Sequence, residues 1–324
     1  MPALTFVTPV FEAEVQLLGL QARSFARHAP SDARVVVLDN TRRGLREVDA
    51  LVRAYGALAP RVRVLRPADV TDLPTTSGWR SQQILKLAVA RLVETPHYVA
   101  LDAKNHFVAR PDDAFFVAAD GRARVRAYSY TDHTLRPALE RVCRYLGLDP
   151  AEHVGRFAAT TTPFTLDREV VLAMLADVES AAGRPFAREF LAHDLTEFFL
   201  YAGWLARRDG TLERTLELTD EPNPVVWPRL ATPQGVRAVL DAGRDLPVLG
   251  LHRDAVPRLD PQATAQLAGF WAERGLVDAP ADGVALVASM RARYDRERRR
   301  RQIRELPARV LNVGRRALAR VSRR

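Results

Sequence analysis

Residues 78–108 read GWRSQQILKLAVARLVETPHYVALDAKNHFV, and this stretch decides the fold. Its first half, Trp79–Val93, places apolar side chains at helical spacing and predicts a helix. After Thr95 and Pro96, the apolar run Tyr98–Leu101 predicts a buried strand, and the polar sequence DAKNH follows it. A helix that leads into a buried strand is typical of a parallel sheet, whose ligands gather at the carboxyl ends of its strands.

The elements on either side of this stretch continue the alternation. The predicted strands, each a short apolar run, are Leu4–Val7, Arg34–Leu38, Val62–Leu65, Arg124–Tyr130, Ala158–Phe164 and Pro247–Leu251. The predicted helices, each with apolar residues at helical spacing, are Glu14–His28, Gly44–Tyr55, Asp167–Val178 and Phe186–Arg207. This order predicts an α/β fold with a mostly parallel central sheet and flanking helices.

The basic residues are distributed unevenly. Of the 48 lysines and arginines, only Lys86 and Lys104 are lysine, and both lie in the stretch quoted above. An ammonium group is a compact point charge whereas guanidinium is a wide planar fork, so a tight phosphate or carboxylate site favours lysine. The net charge of +9 belongs to residues 291–324, which hold fourteen arginines against three acidic residues. The body of the protein therefore carries no basic signature of its own.

Length and charge predict three parts. Residues 1–257 form the α/β domain, 258–290 a helical extension and 291–324 a basic tail with helices at Met290–Glu305 and Ala308–Val321. Without a leader pattern or a long apolar run, we expect a cytoplasmic protein. Each basic side chain contributes about 1 kcal/mol at an anionic membrane, so peripheral binding to the inner membrane face competes with a solvated tail. Nucleic acid ranks third because no aromatic residues interleave with the arginines.

The stretch at residues 78–108 also carries a resemblance. Together with TTPFTLDREVV (161–171) and DLTEFFLYAGWL (194–205), it resembles a bacterial family of uncharacterised proteins grouped with glycosyltransferase-A folds. The likeness spans roughly residues 4–255. It implies a hexosyltransferase type of enzyme that transfers a sugar from a nucleoside-diphosphate sugar to a hydroxyl acceptor, in cell-surface polysaccharide synthesis.

One departure from the wider clan concerns its D-x-D loop, which holds Mn²⁺ or Mg²⁺ against the phosphates. Asp102 corresponds to the first aspartate, but Lys104 occupies the third position. A lysine there removes an oxygen ligand and adds a cation, so we expect it to reduce or replace the metal requirement. The remaining metal candidates are Asp102 and His252, since a late histidine binds metal in several families of this fold. The alternative is that Lys104 simply pairs with Asp102 or Asp112 on the surface.

The candidates for binding the donor lie at strand ends and on the central helix. The nucleotide-sugar-binding candidates are Thr8, Asp39, Asn40, Gln82, Gln83, Lys86, Asp102, Lys104 and Asn105. Gln82, Gln83 and Lys86 share one polar stripe by helical spacing. The alternatives are a solvated helix face for this stripe and ordinary turn chemistry for Asp39 and Asn40.

A transfer that inverts the sugar carbon needs a carboxylate to take the proton of the acceptor hydroxyl, because an alcohol that keeps its proton is a poor nucleophile. The sequence leaves retention of configuration open as the alternative. Asp194 and Glu197 are three positions apart on the predicted helix Phe186–Arg207, among apolar neighbours that make an unpaired carboxylate costly. We predict Glu197 as the first choice for this base and Asp194 as the second. The structural alternative pairs them with Arg188 or Arg207.

Two other functions compete with sugar transfer. The first is a non-catalytic nucleotide-sugar-binding protein with a degenerate D-x-D site, which ligand binding without turnover would favour. The second is nucleotidyl transfer, but the first strand leads into Thr8-Pro9-Val10-Phe11 rather than into a glycine-rich phosphate loop.

Overall fold

The computed structural model of the protein describes residues 4–112 and 114–299. The strands are β1 (Thr5–Val10), β2 (Arg34–Asp39), β3 (Val62–Leu65), β4 (His97–Ala100), β5 (Asn105–Phe107), β6 (Ala123–Tyr128), β7 (Phe157–Ala158), β8 (Phe164–Asp167), β9 (Leu216–Thr219), β10 (Val225–Val226) and β11 (Val248–Leu251). The helices are α1 (Val15–His28), α2 (Val48–Ala54), α3 (Pro67–Val70), α4 (Gly78–Ala88), α5 (Arg136–Leu146), α6 (Arg168–Ala182), α7 (Phe186–Ala192), α8 (Glu197–Asp209), α9 (Pro233–Ala242) and α10 (Pro261–Glu273). Residues 280–299 form a further helix.

The main sheet has five strands in the order β3-β2-β1-β4-β8. Strands β1, β2, β3 and β4 run parallel, and β8 pairs antiparallel with β4 at the edge. The predicted α/β fold with a mostly parallel central sheet is therefore confirmed. The four parallel strands have their carboxyl ends at the same edge, which is where ligands bind in sheets of this kind.

Helices cover both faces of the main sheet. Side chains alternate along a strand, so Tyr98 and Ala100 of β4 join a core with α4, α6 and α8 on one face. Val99 of β4 and Leu101 just beyond it join the opposite core with α1 and α10. Burial on both faces explains why the strands read as continuous apolar runs instead of an apolar and polar alternation.

A second sheet brings its own strand ends towards the end of β4. It has the order β10-β11-β5, with β10 parallel to β11 and β5 antiparallel to it. The backbone N–H of Leu251, at the end of β11, donates to the carbonyl of Lys104 at 3.0 Å. The residues that follow β10 and β11 therefore lie beside the loop that follows β4. The third sheet, β7-β6-β9, lies outside this junction.

Two predicted elements are wrong. The strand expected at Ala158–Phe164 is two short strands in different sheets, β7 and β8, with a cis peptide bond between Thr162 and Pro163. The helix expected at Phe186–Arg207 is broken into α7 and α8, with Asp194 in the left-handed region at φ 48°. Apolar residues on both sides of each break gave an unbroken pattern, which hid the change of direction.

Boundaries shift elsewhere. The first strand extends to Val10, and a 3-10 turn, Glu12–Glu14, precedes α1. The helix predicted from Gly44 begins only at Val48. Helix α10 buries Trp271 in the core that contains α1, and the division at residue 257 stays a prediction. Residues 290–299 of the predicted tail helix are helical, whereas 300–305 and the predicted helix Ala308–Val321 lie outside the described residues. Within the described part of the chain, no helix is long and apolar enough to cross a membrane.

Candidate functional site

Lys86, Asp102 and Lys104 converge where β4 ends. The turn after β4 is fixed because the backbone N–H of Asp102 donates to the side-chain oxygen of Asn105 at 2.9 Å. This turn leaves each carboxylate oxygen of Asp102 with its own ammonium partner. Lys86 Nζ of α4 lies 2.8 Å from Oδ1, and Lys104 Nζ bonds Oδ2. The predicted meeting of these three side chains is present.

Lys86 also has a second carboxylate partner. Its Nζ lies 3.5 Å from Oε1 of Glu197, the first residue of α8, and 5.3 Å from the ring centre of Phe198. Both charged side chains are almost inaccessible, at 6% exposure for Lys86 and 9% for Glu197. We call Lys86 and Glu197 the inner pair. Burial of this degree removes the solvated helix face as an alternative for Lys86.

The electrostatics of this cluster follow from burial and close opposite charges. Burial alone would raise the pKa of Asp102, but Lys104 and Lys86 hold that pKa well below its usual range. Burial works against the charge of Lys86, but Asp102 and Glu197 raise its pKa above the usual value. Burial raises the pKa of Glu197, and the negative charge of Asp102 adds to this effect while Lys86 opposes it.

Thr162 and Asn105 form hydrogen bonds with the residues of the cluster. The Thr162 hydroxyl lies 3.2 Å from Lys104 Nζ, 3.0 Å from Asp102 Oδ2 and 2.7 Å from Asn105 Oδ1. Its single hydrogen serves only one of the two oxygen acceptors at a time. The buried Gln21 amide donates to the carbonyls of Asp102 and Asn105 at 3.0 and 2.7 Å. Asn105 is thus placed as a brace of the loop, although it was predicted to bind the donor.

Two rings stand beside Lys104 at the ends of the second sheet. Trp227 follows β10 and His252 follows β11, with ring centres 5.0 Å apart. Lys104 Nζ lies 5.9 Å from the centre of the Trp227 ring. We call Lys104, Trp227 and His252 the outer wall. The outer wall offers a ligand a ring face, a hydrogen-bond donor and a cation.

His252 is held in its neutral form. Burial, helped by Lys104 and Arg253, lowers its pKa to about 4 against the opposing influence of Asp254. The backbone N–H of Asp254 donates to Nδ1 at 3.2 Å, so the proton of the neutral ring lies on Nε2. His252 can therefore donate one hydrogen bond through Nε2 near neutral pH.

Three predicted residues lie on or just after the first two strands. Thr8 lies within β1 and is fully buried, and its hydroxyl has no hydrogen-bond partner among the described residues. Asp39 accepts from the backbone N–H groups of Thr41 and Leu45 at 3.0 and 2.7 Å, while Asn40 donates to Ser81 at 2.7 Å. The turn-chemistry alternative thus describes Asp39, and Asn40 ties the end of β2 to the start of α4.

The residues of the predicted polar stripe on α4 have different surroundings. Gln83 is buried and accepts from Arg80 at 3.1 Å, so it faces a different partner from Lys86. The side-chain nitrogen of Gln82 is buried and contacts no hydrogen-bond partner. No bond joins either glutamine to the Lys86 cluster among the contacts of the described residues. Their predicted contact with sugar hydroxyls stays a prediction.

Asp194 and Glu197 point to different surroundings. The break between α7 and α8 leaves the Asp194 side chain 62% exposed, where it pairs with Arg80 at 3.4 Å and Arg141 at 2.8 Å. Glu197 instead begins α8 and faces Lys86. The expectation that the two carboxylates share one helix face is therefore wrong, and their partners are not Arg188 or Arg207.

The cluster does not fit a divalent metal. Both oxygens of Asp102 already contact ammonium groups, so a metal ion there would face two cations at close range. His252 has its Nδ1 occupied by the Asp254 N–H. Across residues 4–112 and 114–299, no three His, Cys, Asp or Glu side chains are grouped in a way that could hold a metal ion.

The charged side chains of the cluster pair with one another. A cavity of about 210 Å³ lies at the opposite, amino end of the main sheet, lined in part by Arg34, Arg61 and Arg63. A second cavity, of about 60 Å³, is lined in part by Arg124 and Asn223. Neither is lined by Lys86, Asp102 or Lys104. The expected hollow for a diphosphate is not one of these cavities.

The fold and the site define a mixed α/β protein with a buried polar cluster at the carboxyl edge of its main sheet. The chain belongs to the family of unknown function DUF6492, whose model matches residues 15–227. No curated protein matches the chain by sequence. Membership confirms the expected family of uncharacterised proteins, while its grouping with glycosyltransferase-A folds stays a prediction.

Solved structures offer a distant likeness to a glycosyltransferase. The apo structure of the bifunctional glycosyltransferase WbbM is similar at 14% identity and a TM-score of 0.46, over 77% of this chain and 45% of that one. The chain thus spans less than half the length of that structure. At this TM-score the likeness carries no argument about the function.

The sequence does not predict several of the residues that lie at this site. Thr162 lay inside a supposed strand, Trp227 follows a strand of only two residues, and Gln21 lies on the buried side of α1. The sequence predicts Glu14 as the first residue of a helix. In the structure its charge interacts with that of Asp102, and it pairs with Arg253 at 3.2 Å. Only the tryptophan after an apolar pair gave a local signal, because the others depend on distant parts of the chain.

Proposed function

We propose that the protein transfers a sugar from a nucleoside-diphosphate sugar to a hydroxyl acceptor, as a hexosyltransferase. The observation that carries this proposal is the convergence of Lys86, Asp102 and Lys104 at the end of a parallel strand, opposite Trp227 and His252. A lysine beside an aromatic wall suits a ligand that combines phosphates with a sugar ring.

Lys104 is the residue we assign to the diphosphate. An ammonium group has three N–H donors, and Asp102 and Thr162 engage two of those on Lys104. The third has no partner within the part of the chain that the structure describes and is available for a phosphate oxygen. Lys86 is too buried for direct contact, so its role is to neutralise Asp102 and Glu197. The outer wall would then hold the sugar, with the Trp227 ring against its apolar face and His252 Nε2 donating to a hydroxyl.

The proposed reaction uses Lys104 where related folds use Mn²⁺ or Mg²⁺. As the diphosphate leaves, negative charge grows on its oxygens, and a fixed cation lowers the energy of that state. Lys104 supplies this positive charge at the position of the D-x-D loop, while Lys86 balances the buried carboxylates. We therefore propose that transfer needs no divalent metal.

A second candidate is a non-catalytic nucleotide-sugar-binding protein. The mutual pairing of Lys104 with Asp102 and Thr162 favours it, because a cluster that satisfies its own charges has less need of a reacting ligand. The two candidates predict the same ligands and differ in turnover.

The test is a thermal-shift screen of UDP-, GDP-, CDP- and dTDP-sugars, followed by measurement of released nucleoside diphosphate. A ligand that binds the native state raises the melting temperature, so at least one of these donors should stabilise the protein. Release of diphosphate supports transfer, whereas stabilisation without release supports the binding protein. No stabilisation by any donor contradicts both.

The membrane proposal concerns the acceptor side. We propose a cytoplasmic protein held at the inner membrane face by its arginine tail, near acceptors for cell-surface polysaccharide. Arg291 anchors the last described helix to the body through the Val256 carbonyl at 3.0 Å, so a truncation should remove only residues 300–324. The full chain should sediment with vesicles containing phosphatidylserine and the truncated chain should not. Equal sedimentation of both contradicts the proposal.

A further inference from the structure

Glu14 is a second largely buried glutamate whose charge interacts with that of Asp102. It is the last residue of the turn that follows β1, at the carboxyl edge of the main sheet. Its Oε1 accepts from Arg253 Nη1 at 3.2 Å, and its side chain is 13% exposed. Burial raises the pKa of Glu14 to about 7, and the charge of Asp102 contributes, while Arg253 and Lys104 lower it.

The two glutamates differ in how a substrate could reach them. Lys86 lies between Glu197 and Asp102 and contacts both, so a molecule at Asp102 meets Lys86 before it meets Glu197. Glu14 instead pairs with Arg253, which is a third exposed and directly follows His252 of the outer wall. Lys86 therefore separates Glu197 from Asp102, whereas Glu14 is joined through Arg253 to the segment that carries His252.

From this placement we infer that Glu14, and not Glu197, accepts the proton of the attacking hydroxyl group. The inference rests on the proposed transfer. The acceptor oxygen forms a bond to the anomeric carbon, and the bond from that carbon to the phosphate oxygen breaks. The nucleoside diphosphate leaves with the bonding electron pair, and the hydroxyl proton passes to the Glu14 carboxylate. Such a single displacement inverts the anomeric carbon.

The surroundings of Glu14 suit this proton transfer. The charged groups that face it are Arg253, Asp102 and Lys104, and Arg253 is itself 3.5 Å from Asp254. A base works best when its pKa is near the working pH, because it is then both ionised and able to hold a proton. Since only the ionised form accepts the proton, the rate should rise as the pH increases through about 7.

The experiment compares Glu14→Gln with Glu12→Gln in a donor-hydrolysis assay, in which water replaces the unidentified acceptor. Glutamine keeps the size of Glu14 and can still accept from Arg253, so melting temperature should change little. We expect kcat of Glu14→Gln to fall on the order of 100-fold or more, with donor binding retained and the rise of rate near neutral pH abolished. Glu12 accepts only an N–H of Arg42 at 2.8 Å among its contacts in the described residues, so Glu12→Gln should match the wild type.

A third variant distinguishes failure of the Glu14 assignment from failure of the proposed sugar transfer. Glu197→Gln should keep the pH-dependent rise, because its carboxylate belongs to the inner pair. If Glu14→Gln hydrolyses donors at the wild-type rate, or the rise vanishes only in Glu197→Gln, the role of Glu14 is refuted while the proposed transfer stands. If the wild-type protein releases no diphosphate from any donor, both are refuted.

Discussion

The inner pair and the outer wall each contain one lysine of the chain, and the two lysines share one aspartate. Lys86 is enclosed with Glu197 beneath the aromatic ring of Phe198. Lys104 lies beside Trp227 and His252, with 12% of its side chain exposed against 6% for Lys86. The same type of side chain therefore has two settings. In the core it balances buried carboxylates, and at the wall it pairs with Asp102 beside two rings.

The difference shows that the effect of removing a charged residue depends on its exposure as well as on its charge. A buried ion pair adds little stability compared with apolar packing, but removal of one partner leaves an uncompensated charge. A partly exposed lysine costs less to remove from the fold and more to remove from a reaction that needs its charge. Variants at the two positions should therefore fail in different ways.

The largest effect should follow loss of the inner lysine. Lys86→Met leaves Asp102 and Glu197 facing one another without their shared cation, so we expect the free energy of unfolding to fall by about 3–5 kcal/mol. Urea titration measures this change. The matched control is Arg91→Met, whose exposed pair with Glu179 should contribute about 0–1 kcal/mol. Equal stability of the two variants would show that the inner pair is not a structural unit.

Loss of the outer lysine should affect activity more than stability. We expect Lys104→Met to lower kcat/KM for donor hydrolysis roughly 100- to 1000-fold, because the charge that meets the leaving diphosphate is removed. Its free energy of unfolding should fall by less than that of Lys86→Met, since Lys86 still neutralises Asp102. Lys104→Arg keeps the charge and serves as the control for it. Wild-type kinetics in Lys104→Met would contradict the assignment.

The outer wall should also make stability depend on pH. His252 has a pKa of about 4 in the native state and an ordinary value of 6.5, so below pH 6.5 the unfolded chain binds the proton more readily. The stabilisation is complete above that ordinary value and is lost as the pH falls towards 4. His252→Asn should remove on the order of 1–3 kcal/mol of this acid-dependent loss.

Urea unfolding of both proteins below about pH 5 and above about pH 7 measures the His252 contribution as a difference. Glu14 and Asp102 titrate in both proteins and largely cancel in that difference. Parallel pH profiles for the wild type and His252→Asn would show that the imidazole is not held neutral.

The smallest effect should be that of metal removal. Because both oxygens of Asp102 contact ammonium groups, we expect donor hydrolysis to be unchanged by EDTA and by added Mn²⁺. The assay of Lys104→Asp, which restores a D-x-D sequence, is the matched control and should gain a response to Mn²⁺. Abolition of wild-type activity by EDTA and its rescue by Mn²⁺ would count against a metal-free site.

Local periodicity predicted the meeting of Lys86, Asp102 and Lys104 but not the surroundings of Asp194 and Glu197. The first three lie within nineteen residues, on α4 and in the turn after β4, so neighbours within a few positions bring them together. Asp194 and Glu197 were predicted from helical spacing across a point where the helix breaks. Glu14 gave no signal, because it meets Arg253 from the far end of the chain.

The alternation of strands and helices and the polar segment after β4 follow from local sequence, since both depend on neighbours within a few positions. Which polar residues meet in the cluster and which brace a turn depends instead on contacts between distant parts of the chain. Asn105 and Asp39 are fixed by their own turns, whereas Thr162, Trp227 and His252 meet Lys104 across long separations. Periodicity reports the face on which a side chain lies, but a partner so distant in sequence is set by how the sheets pack together.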